Sequence, residues 1–353
     1  MLDQADFIAR YDKYDALGVV AALPAQLHQP YVVEGLDQLG GVKQVVLVGM
    51  GGSALAAEFV KTWLSSRLTV SIEIVRDYDL PAFVGPSTLV IASSYSGNTE
   101  ETLAALEVAE ARGAMVVAMA SGGQLLEEAR GQGRLHVGLV PDGHPHFDLP
   151  PGLQPRMAVL YGVKALAVLL EGVGLARGLV AELEAAASWM QGQMADWAPG
   201  RPIYQNPAKR MAEQVVGHPV VVYAGPTLAP MAMKWKIGFN ENAKNLAFFN
   251  VFSELNHNEF MGWAHPKRVT HKVIELRSGL DHPQIKKRFE ITNRLLSDRF
   301  APIQVQAAGE TRLQQLLWTL VLGDYVTVYV AILNHTDPTP VGLVERLKDE
   351  LAS

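Results

Sequence analysis

Cysteine is missing altogether from this 353-residue chain. Its absence excludes disulfides, thiolate nucleophiles and Cys-ligated metals in one step, and it fits a reducing compartment. An excess of basic charge is missing too. Lys and Arg total 30 against 36 Asp and Glu, a formal net charge of -6. A nucleic-acid partner needs a basic face and is therefore not expected. A small anionic ligand is still admissible, because a local pocket can be positive on an acidic protein. No run reaches the roughly 18 consecutive apolar residues of a membrane span. The N-terminal "MLDQADFIARYDKYD" lacks the apolar centre of a secretory signal. The expected setting is cytoplasmic, with no membrane contact. Low-complexity tracts and short-period repeats are also lacking.

What is present is enough apolar material, 49% of residues, for sizeable cores. The length suits two domains of roughly 100–200 residues each. The first half alternates strand and helix patterns. "QVVLVG" (44–49), "LTVSIEIV" (68–75), "LVIAS" (89–93), "AMVVAMA" (114–120) and "RLHVGLV" (134–140) read as strands. Leu55, Phe59 and Trp63 form a helical stripe, and a helix from Thr99 stops at Gly113. Apolar strands alternating with helices predict a parallel sheet covered on both faces. A Pro-, Gly- and His-rich loop spans 140–155, and a helical region follows from about Arg156 to Trp197. The alternation then resumes with "PVVVYAG" (219–225), a helix through "LAPMAMKWKIGFNENAKN", strands in "RVTHKVIELRS" and "APIQVQAAG", and a long helix over about 310–333. The expected boundaries are an N-terminal domain over 1–153, connecting helices over 154–215 and a C-terminal domain over 216–353. "VVLVGMGGSALAAEFVKTWL" and "VVVYAGPTLAPMAMKWKIGF" echo each other weakly, which suggests two domains of similar topology.

Two strand-to-helix corners carry candidate chemistry. "GMGGSA" fits the dinucleotide fingerprint through Gly49, Gly51 and Ala54. Glycines such as Gly51 and Gly52 let backbone N–H groups approach an anion, and the helix N-terminus adds partial positive charge. Glu73 and Asp77 are late candidates for a ribose-binding acid, and no Walker lysine follows the glycines. A ligand-free tight turn explains the same pattern, and Ser53 suits either a helix cap or a ligand. The second corner is "SSYSGNTEET" (93–102). Ser94, Ser96 and Thr99 can each donate a hydrogen bond, and Gly97 permits the sharp turn. Together they form a neutral cradle for a phosphate monoester at the carboxyl end of a parallel strand. Capping by Asn98 with Glu101 accounts for some of these polar residues but not all.

"SYSGNTEET" is similar to the phosphate loop of sugar isomerase (SIS) domains, and "VGMGGSALA" looks like the glycine loop beside it. With "FNENAKN", "FSELNHNEFMGW", "PRMAVLYG" and "DPTPVGLVERLKDEL" in order, nearly the whole chain resembles the bifunctional phosphoglucose/phosphomannose isomerases of archaeal type and their bacterial relatives. The resemblance implies an α/β fold of two SIS-type domains, each a parallel sheet sandwiched between helices. It implies a metal-independent aldose–ketose isomerase acting through an enediolate, with no cofactor. The substrates would be fructose 6-phosphate, glucose 6-phosphate and mannose 6-phosphate. Ser53, Ser94, Ser96 and Thr99 would hold the phosphate, and Thr339 would touch O1 or O2.

By the same resemblance Glu241 is the base that moves the proton. A partly apolar site should raise its pKa, and Phe239, Phe248 and Phe249 are near it in sequence. His257 would open the sugar ring and would come from the neighbouring subunit of a homodimer. Glu254 and Glu259 are second-tier alternatives. Arg156 would stabilise the enediolate charge, and Lys348 would assist ring opening. A solvated glutamate, a turn histidine and surface cations are the bland alternatives for these residues. His136, His144 and His146 lack a matching acidic set, so no metal is expected. Two rival functions stay open: a non-catalytic sugar-phosphate sensor and an NAD(P)-dependent oxidoreductase using the glycine corner.

Overall fold

The structure is a computed structural model and describes residues 1–33, 35–36, 39–139, 153–265 and 269–351. Two short helices, α1 (Ala5–Tyr11) and α2 (Ala16–Ala22), come first. The first alternation runs β1 (Gln44–Val48), α3 (Gly51–Trp63), β2 (Ser71–Val75), β3 (Thr88–Ser94), α4 (Glu100–Ala111), β4 (Met115–Ala120), α5 (Gly123–Gly131) and β5 (Leu135–Gly138). Helices α6 (Val159–Gly172), α7 (Leu179–Gln193) and α8 (Pro207–Val215) follow. The second alternation runs β6 (Val220–Ala224), α9 (Ala229–Glu241), β7 (Ala247–Val251), α10 (Phe260–Ala264), β8 (Lys272–Arg277), α11 (Pro283–Leu295), β9 (Ile303–Gln306), α12 (Arg312–Leu333) and α13 (Gly342–Leu351). The α/β class is thus as expected, with two parallel sheets flanked by helices. The chain divides into two compact units, residues 22–189 and residues 1–21 with 190–353. The helical stretch 154–215 is shared between them: α6 and most of α7 belong to the first, α8 to the second.

In the unit of residues 22–189 the sheet order is β2-β1-β3-β4-β5, all parallel. Central β3 is buried along its whole length, as a continuous apolar run covered on both faces must be. Leu55, Phe59 and Trp63 are buried on one face of α3. Helix α4 ends where Gly113 takes φ +69. Its N–H donates to Glu110 O at 2.9 Å and that of Ala114 to Ala109 O at 3.0 Å, a Schellman stop. The chain leaves β1 for β2 on one side and returns to β3 on the other. That reversal opens a crevice at the carboxyl ends of β1 and β3, where α/β sheets bind ligands.

The other unit carries the sheet β7-β6-β8-β9, also parallel, with β6 buried throughout. Its reversal lies between β6 and β8. Helix α12 starts with a capping box of Thr311 and Gln314. By length and composition it could cross a membrane, but 89% of its most apolar window is buried inside the protein. It is the core helix of this unit, packed on α8 and α9.

Strand β7 is absent from the sequence-based expectation, which carries helix through Asn245. Helix α9 in fact ends at Glu241, and Lys244 adopts φ +49. A lysine gives no local stop signal of the kind glycine gives. Phe248 and Phe249 are 51% and 39% exposed on this edge strand, whereas Phe239 is fully buried.

Candidate active site

The glycine corner and the hydroxyl corner meet. Parallel register pairs Val48 with Ala92. A Cβ on Gly49 would lie 2.6 Å from Ser93 O and 3.1 Å from Ser53 Cβ, so only glycine fits between them. Helix α3 starts from Met50, and no side chain caps it. Ser53 is therefore not the cap that its sequence position allows. A Cβ on Gly52 would lie 2.5 Å from Pro155 O and 3.3 Å from Arg156 N. This contact draws the turn Pro155–Met157 against the glycine corner and seats Arg156, 3% exposed, beside it. The Arg156 Nη1 donates to Gln154 Oε1 at 3.2 Å.

In the hydroxyl corner Ser94 Oγ and Thr99 Oγ1 lie 2.7 Å apart, and Gly97 N–H donates to Ser94 Oγ at 3.0 Å. Whichever hydroxyl donates within the pair, the other keeps its proton for a ligand. Asn98 N–H donates to Ser96 Oγ at 3.3 Å. The alternative of capping by Asn98 is not what the structure has: its Oδ1 accepts from Gln124 N at 2.9 Å, on α5. The first N–H groups of α4 thus have no side-chain cap. Gly97 has φ +75, and a Cβ there would lie 1.8 Å from Gly122 O. The residues missed by sequence reasoning are the buried hydroxyls behind the loop. Ser93 Oγ, Tyr95 Oη and Thr102 Oγ1 have no hydrogen-bond partner among the described residues. Burial, then the neighbouring Tyr161, pushes the Tyr95 phenol up, and burial also raises Tyr161. Glycines, hydroxyls, helix ends and a buried guanidinium converge here without a bulk basic surface. Such a set suits a phosphate monoester and the oxyanion of its sugar.

The remaining expected residues belong to the other unit. Glu241 closes α9, partly buried, at the amino end of that unit's sheet. Lys244 Nζ donates to Glu241 O at 2.8 Å, Asp337 O at 2.9 Å and Pro338 O at 3.1 Å. It thereby ties Thr339 and its loop to the Glu241 end of the helix. Asn242, fully buried, donates to Thr327 Oγ1 at 3.0 Å and fixes the same end on α12. His257 is not brought to Glu241. It is exposed in the turn after β7, at the carboxyl end of the sheet, its backbone N–H on Glu254 O. A strand's length, roughly 15 Å, separates the two ends. Glu259 is engaged structurally, accepting from Tyr223 Oη and, at 2.6 Å, from Asn250 Nδ2. Lys348 lies on the exposed side of α13.

Glu73 is exposed in mid-strand on edge strand β2, and Asp77 accepts from the next residue's N–H at 2.7 Å. Glu73 thus lies within β2 and Asp77 two residues past its end. His136 Nδ1 donates to Arg134 O at 2.9 Å, while His144 and His146 lie outside the described residues.

The SIS domain family matches residues 38–129, and the bacterial phospho-glucose isomerase C-terminal SIS domain family matches residues 204–351. Fold and cradle thus define a protein of two SIS domains. A bifunctional phosphoglucose/phosphomannose isomerase of Caldicellulosiruptor bescii is 35% identical over 94% of this chain and 97% of its own length. That of Aquifex aeolicus is 34% identical over 88% of this chain and 90% of its own. The chain belongs to the bifunctional phosphoglucose/phosphomannose isomerase family. Tagatose-6-phosphate ketose/aldose isomerase from Escherichia coli shares the fold, with a TM-score of 0.65 and 14% identity over 94% of this chain and 93% of that one.

Proposed function

We propose that the chain interconverts fructose 6-phosphate with glucose 6-phosphate and mannose 6-phosphate. The carrying observation is the 35% identity to an isomerase of that name over 97% of its length. The sensor and oxidoreductase readings are not favoured beside it. Ser53, Ser94, Ser96, Thr99 and the backbone of Gly51 and Gly52 hold the phosphate. His257 opens the ring, with Lys348 assisting and Thr339 orienting a hydroxyl. The Glu241 carboxylate then takes the proton from C2 of the aldose and returns it to C1. Arg156 stabilises the enediolate oxygen as charge develops. This chemistry is proton transfer and calls on no metal. His257 is supplied by a second copy of the chain, a reading supported by its place at the opposite end of the sheet from Glu241. The setting is cytoplasmic, and the glucose–fructose step serves glycolysis and gluconeogenesis.

The test is a coupled assay on both aldose phosphates, with and without chelator. Glu241→Gln should lower kcat by about 10²–10⁴-fold while a sugar-phosphate inhibitor binds as before. Full activity in that variant would overturn the assignment of the base, and activity on neither aldose phosphate would overturn the function.

A further inference from the structure

The two sheets share a corner and fill it differently. In each, the chain turns from the first central strand through a glycine, Gly49 or Gly225, beside the end of the next central strand. In each, a serine shapes the facing loop by accepting the N–H two residues on. Ser96 Oγ accepts from Asn98 N at 3.3 Å, and Ser278 Oγ from Leu280 N at 2.9 Å. Around Gly49 the neighbours are a carbonyl and Ser53. Around Gly225 the neighbour is a carboxylate: a Cβ there would lie 2.1 Å from Asp281 Oδ2. Asp281 Oδ1 accepts from Thr227 N–H at 3.1 Å, where the turn Pro226–Leu228 leads directly into α9. The side chain is 5% exposed, and Oδ2 has no hydrogen-bond partner among the described residues. Asp281 also lines a cavity of about 390 Å³ with Arg277, Ser278 and Lys286, so the position has a route from solvent.

A buried carboxylate with one oxygen on a backbone N–H and the other pressed over a glycine stands where a bound anion would stand. We propose that Asp281 is a resident anion that fills the second sheet's counterpart of the phosphate cradle. The chain is thereby restricted to one phosphate-type site, and removal of the carboxylate opens a second. The inference rests on the reading of the first corner as a phosphate cradle only for the comparison. Its test is independent of isomerase activity.

Full-length protein labelled with 15N-glycine is titrated with inorganic phosphate, and the amide signals of Gly51, Gly52 and Gly225 are followed. In the native protein Gly51 and Gly52 should shift and Gly225 should stay. In Asp281→Ala all three should shift and saturate. Asp281→Asn, which still fills the position and accepts from Thr227, should behave as the native protein. A still Gly225 in folded Asp281→Ala, or a shifting one in the native protein, overturns the proposal. A still Gly51 and Gly52 in the native protein instead overturns the cradle reading, and Gly225 continues to decide this one. If Asp281→Ala does not fold, Asp281→Ser carries the same test with the same expected result. If neither folds in phosphate-free buffer, phosphate must restore the fold, and failure to do so also overturns the proposal.

Discussion

Ser94 shows how one side chain serves both shape and chemistry. Its hydroxyl and its carbonyl oxygen both accept the N–H of Gly97, at 3.0 and 3.1 Å, which holds the loop in its sharp turn, and the hydroxyl is hydrogen-bonded to that of Thr99. Ser94→Ala removes the bond to Thr99 and leaves the Gly97 N–H only the Ser94 carbonyl, 3.1 Å away, at a cost of about 0.5–1.5 kcal/mol. The expected outcome is a several-fold higher KM for every sugar phosphate, with kcat changed much less. Steady-state kinetics alongside urea denaturation checks both halves. An unchanged KM would remove Ser94 from the phosphate cradle. The crowding of hydroxyls in "SSYSGNTEET" was legible in the sequence. Which of them cap, which pair and which stay open was not, because Asn98 finds its partner 26 residues away on α5.

Helix α9 is the element that places Glu241, and a buried ion pair pins it. Lys234 and Asp324 are 1% and 2% exposed and hydrogen-bonded to each other between α9 and α12. Asp324→Ala strands the lysine charge in the core and should cost about 3–5 kcal/mol. The double variant Lys234→Met, Asp324→Leu should recover most of this in denaturant titration. Failure to recover would mean that the aspartate does more than pair. On β8, Glu275 is fully buried, and that burial raises its carboxyl above the ordinary 4.5 despite Asn293 and Arg277. The folded state therefore holds this proton more tightly than the unfolded chain. Its stability contribution is full below about 4.5 and falls as pH rises toward the folded value. Glu275→Gln should flatten that slope in unfolding curves taken between acid and neutral pH. An unaltered slope would show that other groups cause it. Most helix and strand identities at this scale followed from periodicity; the short helices α1, α2 and α10 did not, Lys244 ended α9 without a glycine, and the edge strand β7 kept its phenylalanines exposed.

For the whole molecule, the chain order and the spatial order differ. Residues 1–21 join 190–353 in one unit. Lys209, fully buried on α8, explains the attachment: its ammonium meets Leu2 O at 2.7 Å and Asp3 Oδ1 at 3.0 Å, with Pro199 O and Arg201 O completing the ring. The proposed exchange of His257 between two copies also belongs at this scale. Glu241→Gln and His257→Ala should each be inactive alone. Mixing the two under exchanging conditions should restore part of the activity, because a mixed pair assembles one site with both native groups. No recovery on mixing would place His257 and Glu241 in the same chain's site or exclude the histidine.

The sequence by itself determined the class of fold and the candidate chemistry. Apolar runs, periodicity and corner glycines are local, and a phosphate cradle at a strand-to-helix turn is nearly local as well. The tertiary structure alone decided which hydroxyls pair, that Arg156 lies against the glycine corner, and that Glu241 and His257 occupy opposite ends of one sheet. It alone revealed Asp281 over Gly225. Each of these depends on contacts between residues far apart in the chain, which burial and packing bring together and which no window of sequence contains.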